Sequence, residues 1–359
     1  MTRQNQTAAG AQQNTQVANV PTDFTEVFSW GSDRHGQLGL GSQMSAGKAL
    51  HNLPRFCSYN IPIFQISCGE KHAAFITTTS LCYTMGKNDQ GQLGINEPYV
   101  EAKHSPVLVD SLLNYKLQAV SCGKSHVLVQ TRLGDVFAWG NNDFGQLGAN
   151  NSKEKSAYYP HAVNFDQYYR TNIKSISAGS YHSAFVDDIG RLFMCGRGEQ
   201  GQLGLGSTGD ELTPFYVERV PDKVSEAACG EEHTIVLTQK GEVYAFGSNR
   251  KGQLGTGQPS KGCALPTFLE ELSFSRMIKV RAGSFSASLS ADGQLYVWGE
   301  GTFGQFYTPH RIKSAKVLDI QDFQISRMGL AAVVSRSGTC YTWGPNDVGQ
   351  LGHGDFLPR

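Results

Sequence analysis

The chain of 359 residues lacks the features that mark several large classes of protein. It contains no apolar run near the roughly 18 residues that a membrane-spanning helix needs, so we expect no integral membrane association. Lys plus Arg and Asp plus Glu are both 31, which gives a formal net charge of zero. Because no positive field is present to attract phosphates, nucleic acid is not an expected partner.

Motifs for catalysis and metal binding are also missing. The eight cysteines include no Cys-x-x-Cys pair, and no group of His and Cys has the spacing of metal ligands. The nucleophile motif Gly-x-Ser-x-Gly is absent, and no cysteine has a recognisable activating partner. We therefore expect a protein that is not an enzyme and that uses no metal and no cofactor. Free thiols favour a reducing compartment, so we expect the cytoplasm, with the nucleus as an alternative.

The chain is rich in glycine, with 41 residues, and many of them lie in one recurring phrase. This first phrase reads Trp-Gly-x-x-x-x-Gly-Gln-Leu-Gly. Its seven copies, some of them varied, lie at residues 30–39, 85–94, 139–148, 195–204, 246–255, 298–306 and 343–352. A regular spacing near fifty residues predicts an array of one supersecondary unit, in which each unit buries its apolar face against its neighbours.

A second phrase, here called the strand phrase, lies between successive copies of the first. It is an apolar stretch, then Gly-x-x-His, then a second apolar stretch, and the histidines of its four clearest copies are His72, His126, His182 and His233. A glycine-containing hairpin signal and a short apolar stretch follow it. Such units predict an all-β fold, a seven-bladed β-propeller of four-stranded antiparallel blades.

The repeat also predicts the roles of its most prominent residues. We expect Trp139 and the aromatic residues at equivalent positions to form wedges between blades. One histidine per blade is too widely spaced for a shared metal ion, so each should form a hydrogen bond to backbone inside its own blade. Two stretches, at residues 196–201 and 299–304, match the dinucleotide motif Gly-x-Gly-x-x-Gly, but loop rather than helix follows them. We interpret both as structural turns.

The chain divides into two parts after residue 22. Residues 1–22 contain no Leu, Ile or aromatic residue and should form a disordered polar leader. Residues 23–359 should form the propeller. The strand phrase has six copies against seven of the first phrase, so we expect the last blade to be incomplete at the C-terminus.

Together the two phrases resemble the regulator of chromosome condensation repeat family, whose namesake is the nucleotide exchange factor for the GTPase Ran. The resemblance covers roughly residues 24–359 and is more specific for fold than for function. It implies a protein–protein interaction scaffold, or alternatively a guanine nucleotide exchange factor for a small Ras-like GTPase such as Ran. Because relatives include ciliary proteins, the resemblance also adds the cilium as an alternative location. Light-sensing relatives use Gly-Trp-Arg-His-Thr phrases, and no corresponding turn here contains Trp.

The candidate partner-binding residues are the pairs between Gly and His of the strand phrase. A tight turn should point them outward on one face of the ring, where the resemblance implies contact with a protein partner, a small GTPase being one candidate. Tyr181 and Phe285 are the strongest candidates because buried aromatic anchors dominate interfaces. The full set is Glu70, Lys71, Lys124, Tyr181, Glu231, Glu232 and Phe285. Residues inside the first phrase, such as Phe144, are expected on the opposite face.

Overall fold

Antiparallel sheets make up almost all of the regular structure. The computed structural model describes residues 27–41, 55–56, 62–149, 154–165, 171–313 and 319–359. Within these ranges the helical elements are the two short 3-10 turns Asp110–Leu112 and Glu270–Leu272. No helix of the described residues is long and apolar enough to cross a membrane. The predicted leader, residues 1–22, lies outside the described residues.

Six sheets follow one another along the chain as blades, and in each the strands pair in sequence order. Blade 1 is β3 (Ile63–Cys68), β4 (His72–Thr77), β5 (Cys82–Lys87) and β6 (Ala102–Leu108). Blade 2 is β7 (Leu117–Cys122), β8 (His126–Thr131), β9 (Val136–Asn141) and β10 (Ser156–Ala162). Blade 3 is β11 (Ile173–Ala178), β12 (His182–Asp187), β13 (Leu192–Gly196) and β14 (Glu211–Tyr216).

The later blades repeat this order. Blade 4 is β15 (Val224–Cys229), β16 (His233–Thr238), β17 (Val243–Asn249) and β18 (Ser260–Phe268). Blade 5 is β19 (Met277–Ala282), β20 (Ser286–Ser290), β21 (Leu295–Gly301) and β22 (Gly304–Arg311). Blade 6 has three strands in the described residues, β23 (Ile320–Ile325), β24 (Ala331–Ser335) and β25 (Cys340–Trp343). The predicted all-β propeller with four-stranded antiparallel blades is confirmed.

The predicted number of seven blades is wrong, because the described residues form six. The first phrase supplies a turn and the third strand, but a blade also needs the two inner strands that the strand phrase encodes. That phrase has six copies. The first copy of the first phrase is accompanied, among the described residues, by a two-stranded ladder of β1 (Phe28–Ser29) and β2 (Arg55–Phe56). Its Trp30 still contacts the last copy, since the indole N–H donates to the Gln350 carbonyl at 2.9 Å.

The core lies between the blades, at interfaces that we call seams. The second strand of each of blades 1 to 5 is buried along its whole length, as in His72–Thr77. The predicted wedges are confirmed, because Trp139 and Trp298 are fully buried and the ring of each packs on the last glycine of the preceding first phrase. A methyl group added at Gly94 would lie 2.7 Å from the Trp139 indole nitrogen, so the residue there must be glycine for the ring to fit.

Three of the four repeated histidines act across the seams rather than inside their own blades, contrary to our expectation. The Nε2 atom of His126 lies 3.1 Å from the hydroxyl of Ser183 in the next blade. His182 meets Thr234 at 3.0 Å, and His233 meets Ser286 at 2.8 Å. Each hydroxyl in turn donates to the carbonyl of a Gln in the first phrase of the histidine's own blade. Three successive seams therefore share one relay of His, hydroxyl and carbonyl.

Candidate interaction surface

One end of the blades, here called the turn face, carries both sets of turns that the sequence singles out. The turns of the strand phrase are linked around the ring by backbone hydrogen bonds, as from Glu70 N–H to the Lys124 carbonyl and from Lys124 N–H to the Gly179 carbonyl. The turns of the first phrase lie beside them, because the Phe144 ring packs edge-on against Tyr181 at 5.2 Å. Our expectation that the first phrase lies on the opposite face is therefore wrong.

The reason is strand geometry. The second strand of a blade begins at the Gly-x-x-His turn, and the third strand runs antiparallel to it and ends at the first phrase. Antiparallel neighbours bring the start of one strand beside the end of the next, so the two turns meet at one edge of the sheet. The opposite edge carries the hairpins between these strands, for example residues 131–135, and we call it the hairpin face.

Six of the seven candidate residues lie at this turn face with some solvent exposure. Glu70 is placed between two lysines, with a carboxylate oxygen 3.7 Å from the ammonium of Lys71 and of Lys124. Glu231 and Glu232 are adjacent and half-buried. Burial raises the pKa of the Glu231 carboxyl, while nearby Lys251 and Arg327 act in the opposite direction.

Phe285 is the exception, because only 2% of it is exposed and it belongs to the core between blades 5 and 6. The expectation that it points outward is wrong. The Gly283 N–H bonds to the Phe285 carbonyl, whereas Gly230 bonds to the carbonyl of His233, so the turn of blade 5 is one residue shorter. Phe285 thus takes the place of the histidine, and Gly301 leaves room for its ring, since a methyl group there would lie 2.3 Å away.

Four side chains form what we call the cation–aromatic row, which crosses the seam between blades 2 and 3. The ammonium of Lys124 lies 5.0 Å from the centre of the Tyr181 ring and donates to the Tyr181 hydroxyl at 2.9 Å. This hydrogen bond raises the pKa of Lys124. At the other end the guanidinium of Arg197 lies 5.1 Å from the centre of the Phe144 ring, which contacts Tyr181.

Both ends of the row are balanced by carboxylates. Glu70 lies near Lys124, and Glu199 forms an ion pair with Arg197. The row therefore has an aromatic centre, a cation on each side and an anion beyond each cation. Sequence reasoning found Tyr181 and Lys124 but missed Phe144 and Arg197, because these residues come from first-phrase turns that we expected on the other face.

A cleft of about 360 Å³ opens beside the row, between blades 1 and 2. Three lysines and three carboxylates line it together with amide and hydroxyl groups. The charged lining residues are Lys71, Lys87, Lys124, Glu70, Asp89 and Asp143. Lys87 and Asp89 form an ion pair. Because the charges cancel, the cleft does not favour a strongly anionic or cationic small molecule, and no metal-binding group of His, Cys, Asp or Glu occurs in the described residues.

The middle of the turn face is crossed by Arg327 of blade 6. Its Nη2 atom donates to the Gly179 carbonyl of blade 3 at 2.8 Å, on the far side of the ring. Burial lowers the pKa of this guanidinium to about 10. No motif in the sequence predicts this role. The ladder pairs Ile325 with Ala331 as it pairs Cys229 with Thr234, so Arg327 belongs to the turn between these strands.

Comparison with known proteins identifies relatives across nearly the whole chain. A family profile described as the RCC1-like domain matches residues 5–327, and one described as the regulator of chromosome condensation (RCC1) repeat matches residues 337–359. The ultraviolet-B receptor UVR8 of Arabidopsis thaliana is 30% identical over 343 residues, which are 93% of this chain and 76% of the receptor. The human E3 ubiquitin-protein ligase HERC2 is 30% identical over 341 residues, but these span 7% of the ligase.

Solved structures agree on the fold. Human WBSCR16 superposes with a TM-score of 0.82 at 23% identity, covering 93% of each chain. Prp20p of Saccharomyces cerevisiae superposes with a TM-score of 0.79 at 23% identity, covering 92% of this chain and 83% of that one. At this level of identity the similarity establishes the propeller and leaves the partner open.

Proposed function

Because the chain belongs to the regulator of chromosome condensation family, we propose that it is a protein-binding scaffold whose turn face holds a protein partner. The cation–aromatic row is the observation that carries this proposal. Tyr and Arg are the residue types most enriched among interface hot spots, where a few aromatic and cationic anchors supply most of the binding energy. In the row, Tyr181 and Phe144 are held in place by Lys124 and Arg197 before any partner arrives.

The charges around the row support a protein rather than a nucleic acid. Glu70 and Glu199 would repel phosphates at both ends, whereas a protein surface can offer both signs of charge in register. The side chains are also fixed to one another, so little conformational entropy is lost when they are covered. The turn face can therefore bind a partner that places apolar groups over the aromatic centre and charged groups over the rim.

The direct test is affinity capture from cell extract with the wild-type chain and two variants. Tyr181→Ala removes the centre of the row, and Leu133→Ala, on the hairpin face, is the matched control because Leu133 is 83% exposed and far from the row. We expect Tyr181→Ala to weaken binding of the specific partner by about 2 kcal/mol, roughly 30-fold in Kd. Equal capture by all three proteins would contradict the proposal.

The alternative is guanine nucleotide exchange on a small Ras-like GTPase such as Ran. The adjacent carboxylates Glu231 and Glu232 on the turn face favour it, since acidic groups can compete for the contacts that hold phosphate and Mg²⁺. The test is release of labelled GDP from a panel of GTPases, with the wild-type chain and with Glu231 and Glu232 changed to Lys. Acceleration that the double change abolishes would establish exchange. If the folded protein accelerates GDP release from none of the GTPases in the panel, the scaffold remains the proposed function.

A further inference from the structure

The turn of blade 6, residues 326–330, carries the most exposed apolar side chain near the centre of the turn face. Met328 is 76% exposed, whereas the corresponding turns of blades 1 to 4 carry charged, hydroxyl or tyrosine side chains. This turn is one residue longer than Gly-x-x-His, because the Ser326 N–H bonds to the Leu330 carbonyl four residues on. Met328 is the middle residue of this longer turn.

The turn is held firmly even though its tip is exposed. The Leu330 N–H donates to the Ser326 hydroxyl at 3.0 Å, and the Thr302 hydroxyl donates to the Gly329 carbonyl at 2.6 Å. Gly329 adopts a φ of 77°, which costs a glycine little. Arg327 anchors the same turn across the ring at the Gly179 carbonyl. An exposed apolar side chain on such a fixed turn loses only its own rotamer freedom on binding.

The surroundings define the chemistry of a partner. Arg327 links the turn of blade 6 to Gly179, two residues before Tyr181, so this turn is joined to the turn of blade 3 that carries the centre of the cation–aromatic row. The carboxylates Glu70 and Glu231 lie near Arg327 and act against its positive charge. Counted over the strand-phrase turns, the cations Lys71, Lys124 and Arg327 balance the carboxylates Glu70, Glu231 and Glu232. A centre with balanced charge gives little electrostatic steering, and the flexible thioether of Met fits irregular apolar pockets.

We propose that Met328 is the central anchor of the turn face and that it inserts into an apolar pocket on a folded protein partner. The inference rests on the proposed scaffold function and goes beyond it by naming the anchor and the kind of surface it fits. The partner needs a pocket deep enough for one unbranched side chain, with no large excess of either charge at its rim. Its binding should depend only weakly on ionic strength.

The first experiment identifies what Met328 touches. The photo-crosslinking residue p-benzoylphenylalanine replaces Met328 or, as the control, Leu133 on the hairpin face, and each protein is irradiated in cell extract. We expect a discrete crosslinked protein at position 328 that is absent at position 133. An excess of the wild-type chain or of Leu133→Asp, neither carrying the crosslinker, should reduce the yield of this product, whereas Met328→Asp should not. Crosslinks that are the same at both positions, or only to lipid or to a second copy of the chain, would overturn the inference.

The second experiment measures Kd for the purified crosslinked protein. Met328→Asp should weaken binding about 30-fold or more, and Met328→Leu should stay within about threefold. Between 50 and 300 mM salt the wild-type Kd should change less than about threefold. If Met328→Asp binds normally while Tyr181→Ala does not, the anchor is wrong and the scaffold function stands. If neither change matters, both proposals fail.

Discussion

The seam between blades 1 and 2 and the seam between blades 2 and 3 use the same repeat positions with different side chains. In the second of them His126 bonds to Ser183, whose hydroxyl donates to the Gln146 carbonyl. In the first, the position of Ser183 is taken by Val127, and the two ring nitrogens of the buried His72 have no hydrogen-bond partner among the described residues. The Gln92 carbonyl receives the indole N–H of Trp139 instead, at 3.0 Å.

The comparison shows which part of a seam is obligatory. The Gln carbonyl of the first phrase is satisfied in both seams, once by a hydroxyl and once by an indole, because a buried carbonyl without a donor is costly. The histidine is satisfied only where the next blade supplies a hydroxyl. Blades 5 and 6 extend the series, since Phe285 and Leu330 stand where earlier blades have histidine. The histidine is therefore replaceable, whereas a donor to the carbonyl is not.

The largest effect should come from removing the donor of the first seam. Trp139→Ala deletes a fully buried ring and leaves the Gln92 carbonyl unpaired, so we expect a loss of about 4 kcal/mol in the free energy of unfolding. The matched control is Cys195→Ala, the equivalent position of the next blade, where about 1 kcal/mol is expected because Ser183 supplies the donor there. Urea denaturation measures both. Similar losses would contradict the comparison.

The second prediction removes the hydroxyl from the second seam. Ser183→Ala leaves both the His126 nitrogen and the Gln146 carbonyl without that partner, and we expect a loss of about 2 kcal/mol. Ala73, the equivalent residue of blade 1, provides the control. Ala73→Ser adds the same hydroxyl at a place where no histidine of a preceding blade can bond to it. We therefore expect no corresponding gain in the free energy of unfolding. A loss below about 0.5 kcal/mol for Ser183→Ala would show that the relay is dispensable.

The third prediction concerns pH. Burial lowers the pKa of His72 to about 3, well below its value of about 6.5 in an unfolded chain. The unfolded state therefore binds this proton first, so stability is full above pH 6.5 and is lost as the pH falls toward 3. His72→Leu, which copies Leu330 of blade 6, removes this dependence and should reduce the loss at pH 4.5 by about 2 kcal/mol.

The matched change His233→Leu separates titration from hydrogen bonding. Burial also lowers the pKa of His233 to about 3. His233→Leu should therefore reduce the loss of stability in acid in the same way as His72→Leu. At pH 7, however, His233→Leu breaks the contact with Ser286, and we expect it to be less stable than His72→Leu by about 1 kcal/mol. Urea denaturation at pH 7 and pH 4.5 provides both numbers. Equal stability of the two variants at pH 7 would contradict the difference between the seams.

The smallest effect should come from building the relay into the first seam. Val127→Thr keeps the shape of the side chain and places a hydroxyl beside the unpartnered His72, and we expect a gain of up to about 1 kcal/mol. A Val-to-Thr change in an apolar site normally destabilises a protein, so the sign of the effect is diagnostic. His72→Leu combined with Val127→Thr is the control, since the gain should disappear when the histidine is absent. A loss in the single variant would refute the relay as a stabilising device.

The sequence predicted the repeat well because both phrases are local. The strands and turns of one blade lie within about fifty residues, and apolar periodicity with glycine punctuation is sufficient to place them. The wedge at Trp139 was also predictable, since one aromatic position recurs. The errors came from positions where one residue changes the register. Phe285 was assigned to an exposed turn because the blade 5 turn is one residue shorter than the turns of blades 1 to 4.

The candidate surface was predicted only in part. Tyr181, Lys124 and the Glu231–Glu232 pair lie on the turn face, but whether they bind a partner stays a prediction. Phe144 and Arg197 were missed because no pattern within one repeat states which turns share an edge. The turn that carries Met328 is joined to blade 3 by a hydrogen bond between residues 148 positions apart, from Arg327 to Gly179.

The sequence by itself determined the repeating unit, its antiparallel strands and the aromatic positions of the seams. These depend on side chains a few residues apart, whose periodicity fixes which face of a strand is buried. Only the tertiary structure decided the donor that satisfies each Gln carbonyl, the burial of Phe285 and the composition of the turn face. These depend on groups from neighbouring or opposite blades. A buried polar group forms its hydrogen bond with the group that the assembled fold places within reach, and for the Gln carbonyls of the seams that group belongs to another blade.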